Sequence, residues 1–228
     1  MPTLLPDMSI QQFQFFVKEV YGIPNNRHFD FGEMLNHIQR FGMRGMKGIR
    51  KKDFEKTKKN LIISFSFFMS VLNRLSIEIE DEIWKRFPYL CTYCNSCPCS
   101  CKEKKSDFRQ EVYMNESVRP RTLTGFQKMF NEIYPASSRT LEHAGVHFAE
   151  EFGEFSEAIW TYRSSRSEED FKKVILEAAD FCSCLIGIFN SMDVGLAEEI
   201  TKSYPHNCHN CGNSPCVCSY EIIKNYKS

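Results

Sequence analysis

The C-terminal half of the chain contains two groups of acidic residues with the spacing of a metal site. Glu150, Glu151 and Glu154 form an E-E-x-x-E pattern, and Glu177 and Asp180 form an E-x-x-D pattern after 22 further residues. Carboxylate oxygens are the ligands that Mg²⁺ and Mn²⁺ prefer. A cation held in this way neutralises nearby anionic oxygens and activates a bound water.

The first acidic group must be positioned by a helix. Apolar residues recur at helical spacing over Leu141 to Tyr162. At about 100° per residue, Glu151 and Glu154 lie at the margin of this apolar stripe, whereas Glu150 leans outward. A solvated acidic face is the alternative interpretation of the E-E-x-x-E pattern by itself, because glutamate favours helices.

The second acidic group favours a buried metal site over a solvated face. Glu168 to Asn190 reads as a helix, and its part Val174 to Phe189 is apolar almost all round, so it should be buried. Glu177 and Asp180 lie three residues apart on one side of it. Buried carboxylates need a partner. Lys173 is the nearest cation on this face and no arginine lies on it, so a metal ion is the expected partner.

Two clusters of cysteines share the spacing C-x2-C-x4-C-x-C. No secretory signal is evident, and clustered cysteines in a reducing compartment more often hold metal than form disulfides. Four thiolates suit one structural Zn²⁺. The sequence therefore predicts two Zn²⁺ per chain, with Cys97 as a spare. The predicted ligands are Cys91, Cys94, Cys99 and Cys101 in the first cluster and Cys208, Cys211, Cys216 and Cys218 in the second.

The two clusters belong to an internal repeat of about a hundred residues. They are offset by 117 positions, and Phe13 to Tyr21 matches Phe126 to Tyr134 at an offset of 113. A period this long indicates duplicated domains. We predict a degenerate unit at 1–101, a polar linker at 102–121 and an intact unit at 122–228.

The fold class is predicted to be all-α, with two tandem helical bundle units that each end in a zinc knuckle. The first unit has lost the acidic pattern. At the 117 offset Asn60 replaces Glu177 and Ile63 replaces Asp180, and Leu35 to Phe41 stands opposite the E-E-x-x-E segment. We therefore expect no equivalent metal site in the first unit.

A glycine-rich basic segment, Phe41 to Lys52, remains in the first unit. One interpretation is a flexible solvated loop. The other is that the segment reaches over the neighbouring acidic site and contacts an anionic ligand there, because its cations would complement the acidic second unit. Five cations carry this hypothesis: Arg44, Lys47, Arg50, Lys51 and Lys52.

The acidic motifs resemble the signature of MazG-like nucleoside triphosphate pyrophosphohydrolases. The similarity covers roughly Leu123 to Pro205 and includes the surrounding strings HFAEEFGEFSEAI and EAADFCSCLIGIFNSMDVGLAEEI. The family is all-α and requires Mg²⁺. The resemblance implies hydrolysis of (deoxy)nucleoside triphosphates to monophosphate and pyrophosphate, with the second unit catalytic and the first a pseudo-enzyme partner. The resemblance is also compatible with a homodimer in which two such pseudo-dimeric chains assemble.

The resemblance further implies roles for individual residues. Mg²⁺ or Mn²⁺ would be held by Glu151, Glu154, Glu177 and Asp180. Glu150 would orient or deprotonate the attacking water. Contacts with the nucleotide would come from Lys173, Asn190 and Lys202.

Charge and hydropathy set the remaining expectations. The chain has 228 residues and a formal net charge of zero, but residues 1–105 carry +6 and residues 106–228 carry −6. No uninterrupted apolar run reaches the length of a membrane span, so we expect a cytoplasmic protein without a membrane partner. A non-catalytic nucleotide sensor is the main alternative function. A nucleic-acid adaptor is weaker, because few basic residues flank the second cluster.

Overall fold

The computed structural model describes residues 3–104, 112 and 114–226, and these residues contain helices and no strands. Part of the predicted linker, residues 105–111 and 113, lies outside the described residues. The α-helices are α1 (Ile10–His28), α2 (Phe31–Lys51), α3 (Phe54–Leu75), α4 (Ile79–Arg86), α5 (Cys101–Lys104), α6 (Leu123–Ile133), α7 (Leu141–Ser165), α8 (Glu168–Ser191), α9 (Leu196–Ser203) and α10 (Tyr220–Lys224).

Side-chain caps define the starts of the two helices that carry the acidic motifs. Thr140 accepts a hydrogen bond from the backbone N–H of His143 at the start of α7, and Ser167 accepts one from Asp170 at the start of α8. Such caps satisfy N–H groups that have no partner inside the helix. Both helices therefore begin where the sequence predicted, and each ends within three residues of the predicted end.

The chain forms two compact units that differ from the predicted boundaries. Unit 1 consists of Met1–Glu78 and Ala197–Ser228, and unit 2 consists of Ile79–Leu196. Helix α4 and the first cysteine cluster thus belong to unit 2 with α6, α7 and α8. Helix α9, the second cluster and α10 belong to unit 1 with α1, α2 and α3. The assignment of α4 to unit 2 agrees with the burial of its side chains, because Ile83 and Trp84 are buried there.

Matched hydrogen bonds show that this exchange is reciprocal. In unit 2 the backbone N–H of Cys99 donates to the carbonyl of Ile133 at 2.7 Å. In unit 1 the N–H of Cys216 donates to the carbonyl of Val20, also at 2.7 Å. The two donors are 117 positions apart and the two acceptors 113, which are the offsets of the sequence repeat. Each cysteine cluster therefore docks on the first helix of the other repeat.

The prediction of a flexible loop at the basic segment is wrong, because all but the last residue of this segment lie in α2. Its glycines permit close packing of α2 on α3. A Cβ at Gly45 would lie 2.9 Å from Leu61, and a Cβ at Gly48 would lie 3.0 Å from the carbonyl of Asp53. The glycines therefore serve helix packing rather than flexibility.

By length and hydropathy, α8 is able to span a membrane. Helices α3 and α4 are also long and apolar enough if they are taken together as one bent pair. In α8 the most apolar window is 61% buried within the structure. The core helix of a globular unit has the same properties, so this observation is weak evidence for a span.

Candidate functional site

The acidic motifs meet in unit 2, where α7 packs on α8. One carboxylate oxygen from each of Glu151, Glu177 and Asp180 lies within 4.8 Å of the other two. The Oε2 atom of Glu151 is buried and has no hydrogen-bond partner among the described residues. Glu154 is exposed, one turn beyond Glu151, and its charge acts on both Glu151 and Glu177. We call Glu151, Glu177 and Asp180 the carboxylate site.

The electrostatics of the carboxylate site favour a bound cation. Burial, reinforced by the charges of Asp180 and Glu154, raises the pKa of Glu151 to about 8 and that of Glu177 to about 7. Burial also raises the pKa of Asp180. Ionising three neighbouring carboxyl groups is costly in a partly buried site. A divalent cation would remove that cost, and the carboxylate oxygens and the unpartnered oxygen of Glu151 fit such a ligand.

An arginine from another helix contacts this site, and the residues on the acidic face of α8 gave no indication of it. Arg86 on α4 donates from Nε to Asp180 at 2.9 Å, and its Nη2 forms a second hydrogen bond with the same carboxylate. The Arg86 side chain is only 5% exposed. The sequence repeat did not indicate a role for Arg86, because the matching position in α9 is Ser203.

Contacts within unit 2 hold α4 in the position that places Arg86 at the carboxylate site. The indole N–H of Trp84 donates to Glu116 at 2.6 Å. Arg119 forms an ion pair with Asp81 at the start of α4. Both partners belong to the segment that precedes α6, so this segment fixes α4 from the side.

The first cysteine cluster also borders the carboxylate site. Tyr93 lies between the ligand positions Cys91 and Cys94, and burial together with the charge of Asp180 raises its pKa. Tyr134 at the end of α6 is under the electrostatic influence of both Cys91 and Asp180. The cluster from the first repeat therefore lies beside the acidic residues of the second.

The remaining predicted site residues lie apart from the three clustered carboxylates. Glu150 is 57% exposed and lies 3.2 Å from His147 Nδ1. Lys173 is 56% exposed and pairs with Asp170 at 3.3 Å. Lys202 pairs with Glu199 and belongs to unit 1.

Asn190 has a structural contact that recurs in both repeats. Its amide donates to the carbonyl of Gln127 at 3.0 Å, and the Gln127 amide donates to the carbonyl of Val194 at 2.8 Å. These contacts join α6, α8 and the segment that precedes α9. The same pair of hydrogen bonds recurs in unit 1 between Asn73, Gln14 and Ile77.

Both cysteine clusters have the geometry of a tetrahedral thiolate site. In each, the four sulfur atoms lie within 4.8 Å of one another. The Cys91–Cys101 and Cys94–Cys99 sulfur distances are 3.5 and 3.9 Å. Four ligands at a Zn–S distance of about 2.3 Å would be about 3.8 Å apart. Each cluster could therefore hold a zinc ion, and Cys97 is left exposed.

Unit 1 replaces the carboxylates with cations and aromatic rings. The buried residues of α2 and α7 coincide at an offset of 110. At this offset Arg40, Phe41 and Arg44 stand where the second repeat has Glu150, Glu151 and Glu154, which corrects the match with Leu35 to Phe41. The first repeat therefore lacks the acidic residues, as expected, and carries arginines at two of these three positions.

The C-terminal segment covers this part of unit 1. Arg40 donates to the carbonyls of Lys224 and Tyr226 at 2.7 and 2.9 Å, and Arg44 donates to that of Tyr226 at 3.0 Å. A cavity of about 50 Å³ remains below the segment. Its aromatic lining includes Tyr21, Phe41, Phe67, Tyr204, His209 and Tyr226.

The chain was compared with models of protein families, with curated proteins and with solved structures, and none of the three comparisons gives a match.

Proposed function

We propose that unit 2 is a Mg²⁺-dependent pyrophosphohydrolase that converts (deoxy)nucleoside triphosphates to monophosphates and pyrophosphate. The convergence of Glu151, Glu177 and Asp180 on one small volume carries the proposal. Three carboxylates from two facing helices, one with an unpartnered buried oxygen, match the needs of a hard divalent cation. The resemblance of the acidic motifs to MazG-like enzymes supplies the reaction.

The proposed roles follow from position and exposure. Glu151, Glu177 and Asp180 hold Mg²⁺, which when bound neutralises phosphate charge and lowers the pKa of a bound water. Glu154 is exposed to solvent beside these ligands, so it can accept a hydrogen bond from the attacking water and orient it. Glu150, predicted for this task, is turned toward His147 and becomes the second candidate.

Arg86 supplies the positive charge that a phosphate-binding site needs. Its guanidinium donates two hydrogen bonds to Asp180, one of the three residues of the carboxylate site. The planar fork of arginine matches the oxygens of a carboxylate or a phosphate equally well. We propose that Arg86 neutralises Asp180 in the metal-free protein and contacts the phosphates of a bound nucleotide.

The two cysteine clusters are proposed to hold one structural Zn²⁺ each. Each cluster docks on a helix of the opposite repeat through the hydrogen bond from Cys99 or Cys216. Metal binding to the clusters would therefore stabilise the exchanged arrangement. The inactive repeat would thereby contribute α4 and its cluster to the active unit.

A nucleotide sensor is the second candidate function, and the Arg86–Asp180 ion pair favours it. The guanidinium of Arg86 is able to neutralise the carboxylate of Asp180 without a bound metal ion. In that case the protein would bind nucleotide without turnover. We also propose that the protein is cytoplasmic and that it assembles as a homodimer.

Product analysis separates the enzyme from the sensor. The full chain is incubated with each common NTP and dNTP in the presence of Mg²⁺, and the products are resolved by anion-exchange chromatography. The enzyme yields monophosphate and pyrophosphate. Binding without any product would support the sensor.

A further inference from the structure

A second arginine near the carboxylate site has no counterpart in unit 1. Arg139 precedes the N-cap of α7 and is half-buried. Its Nε atom is buried and has no hydrogen-bond partner among the described residues. A buried donor on a charged group without a partner is costly, which points to a ligand.

Arg139 lies against the same face of α8 as Asp180. A Cβ at Gly187 would overlap the Nη2 atom of Arg139 and lie 3.2 Å from its Cζ. Gly187 is seven residues after Asp180, which is almost two full turns and about 10 Å along the helix. The absence of a side chain at Gly187 thus leaves room for the guanidinium in line with the carboxylate site.

Cys184 connects the two groups. It lies one turn after Asp180 on α8, and the charges of both Glu151 and Arg139 act on its thiol. Burial and the negative charge of Glu151 raise the pKa of this thiol to about 12, while Arg139 opposes the rise. The acidic residues and the guanidinium are therefore both within electrostatic reach of a single sulfur atom.

The degenerate repeat lacks this arrangement. At the offsets that relate the repeats, Phe29 stands in place of Arg139, Phe67 in place of Cys184 and Ser70 in place of Gly187. The rings of Phe29 and Phe67 pack edge to face, 6.0 Å apart. The arginine and the glycine that makes room for it therefore occur together in the repeat that retains the carboxylates.

We infer that Arg139 forms an anion subsite that binds a phosphate group of the nucleotide whose Mg²⁺ is held at the carboxylate site. This inference deepens the proposed function and rests on it. The guanidinium offers a half-buried fork of donors, and phosphate oxygens are the acceptors that such a fork binds in two-point contacts. A phosphate there would satisfy the Nε donor that the protein leaves unpaired.

Binding of inorganic tripolyphosphate tests the subsite without requiring hydrolysis or a known base. The dissociation constant is measured by isothermal titration calorimetry with the full chain in Mg²⁺. Arg139→Ala should weaken binding about ten- to a hundredfold, the range for one charge-assisted hydrogen bond. Arg139→Lys should recover part of the loss. Gly187→Ala should weaken binding while retaining the arginine, because the added methyl group displaces the guanidinium.

Arg163→Ala provides the matched control, since Arg163 is an exposed arginine near the other end of α7. Its dissociation constant should equal that of the parent. Circular dichroism and zinc content confirm that each variant is folded. Equal binding by Arg139→Ala and the parent, or no binding of tripolyphosphate by the parent, overturns the inference. If the parent binds tripolyphosphate through Arg139 but hydrolyses no nucleotide, only the proposed function fails.

Discussion

Arg86 and Asp180 are 94 positions apart in the chain, yet their side chains form a two-point ion pair between α4 and α8. By sequence, Arg86 belongs to the repeat that has lost its acidic residues. By structure, it belongs to the compact unit that retains them. The repeat without the acidic motif therefore contributes a charged residue to the carboxylate site of the other repeat.

Replacing Arg86 by methionine should separate its structural role from its effect on metal. Without added metal, the variant should lose on the order of 3 kcal/mol of stability, because Asp180 keeps its buried position without a partner. The variant should also bind Mn²⁺ more tightly, because a positive charge no longer competes for the carboxylates. Chemical denaturation and metal titration measure the two effects.

Lys85→Met is the control for this experiment. Lys85 neighbours Arg86 on α4 and pairs with Glu82, but its side chain is 58% exposed. Removing an exposed ion pair should change stability by less than about 1 kcal/mol. If both variants bind Mn²⁺ as the parent does, Arg86 does not compete with a cation at Asp180.

The contribution of the carboxylate site to stability without added divalent cation should fall as pH rises. In the folded state the pKa of Glu151 is raised to about 8 and that of Glu177 to about 7, against an ordinary value of 4.5. The folded state thus binds these protons more tightly than the unfolded chain. The contribution of these two groups to the free energy of unfolding should therefore decrease from about pH 4.5 to about pH 8 and level off above it.

Thermal denaturation across this pH range provides the measurement. Asp180, Glu154 and Arg86 are the charged groups that face the two glutamates, and Arg86 limits the effect without removing it. Glu151→Gln should flatten the pH dependence, whereas Glu157→Gln, on the exposed side of α7, should preserve it. Mg²⁺ should stabilise the parent more at pH 8 than at pH 6. A profile of Glu151→Gln that runs parallel to that of the parent over this interval would contradict the account.

Two Zn²⁺ per chain are expected from protein purified without added zinc. Cys94→Ser should remove one ion and Cys211→Ser the other, whereas Cys97→Ser should remove neither because Cys97 is exposed outside the cluster. Elemental analysis counts the ions. A content below one zinc per chain rejects the assignment.

Loss of the first zinc should also weaken the carboxylate site, because Arg86 precedes Cys91 by five residues and Tyr93 lies within the cluster. Titration with Mn²⁺ compares Cys94→Ser with Cys211→Ser. Cys94→Ser should lower the affinity for Mn²⁺. Cys211→Ser should change this affinity less, because its cysteine cluster belongs to unit 1. Equal effects would mean that the first cluster has no special role at the site.

Local patterns in the sequence predicted the two helices that carry the acidic motifs, and they identified the residues that cluster in the carboxylate site and in the two cysteine clusters. The carboxylates of Glu151 and Asp180 lie on apolar helices of period 3.6, and such a pattern depends on neighbouring residues alone. The cysteine spacing is equally local. For these features the structure adds distances and burial to what the sequence predicted.

Long-range features escaped the sequence analysis. Nothing in the repeat marks Arg86 or Arg139, because both depart from the pattern that the repeats share. The exchange of α4 and α9 was missed because a repeat in sequence does not determine which copy of an element packs with which. The basic segment was misjudged because glycines in α2, such as Gly45, were attributed to a loop rather than to close helix packing.

Substitution of two glutamates on α7 should identify the residue that orients water. Glu154→Gln should lower kcat by about 10²- to 10⁴-fold, the range for loss of a positioned acid or base, with little change in Mn²⁺ affinity. Glu150→Gln should retain most activity, because Glu150 is more than half exposed beside His147. The reverse ranking of the two variants would return the role to Glu150.

The most direct test of the central claim is identification of the products formed from nucleoside triphosphates in Mg²⁺ by the parent and by Glu151→Gln. The parent should release monophosphate and pyrophosphate in equal amounts from at least one substrate of the panel. Glu151→Gln should release neither, although its zinc content and helical spectrum match the parent. Release of diphosphate and orthophosphate, undiminished activity of Glu151→Gln, or no product with any substrate would contradict the account.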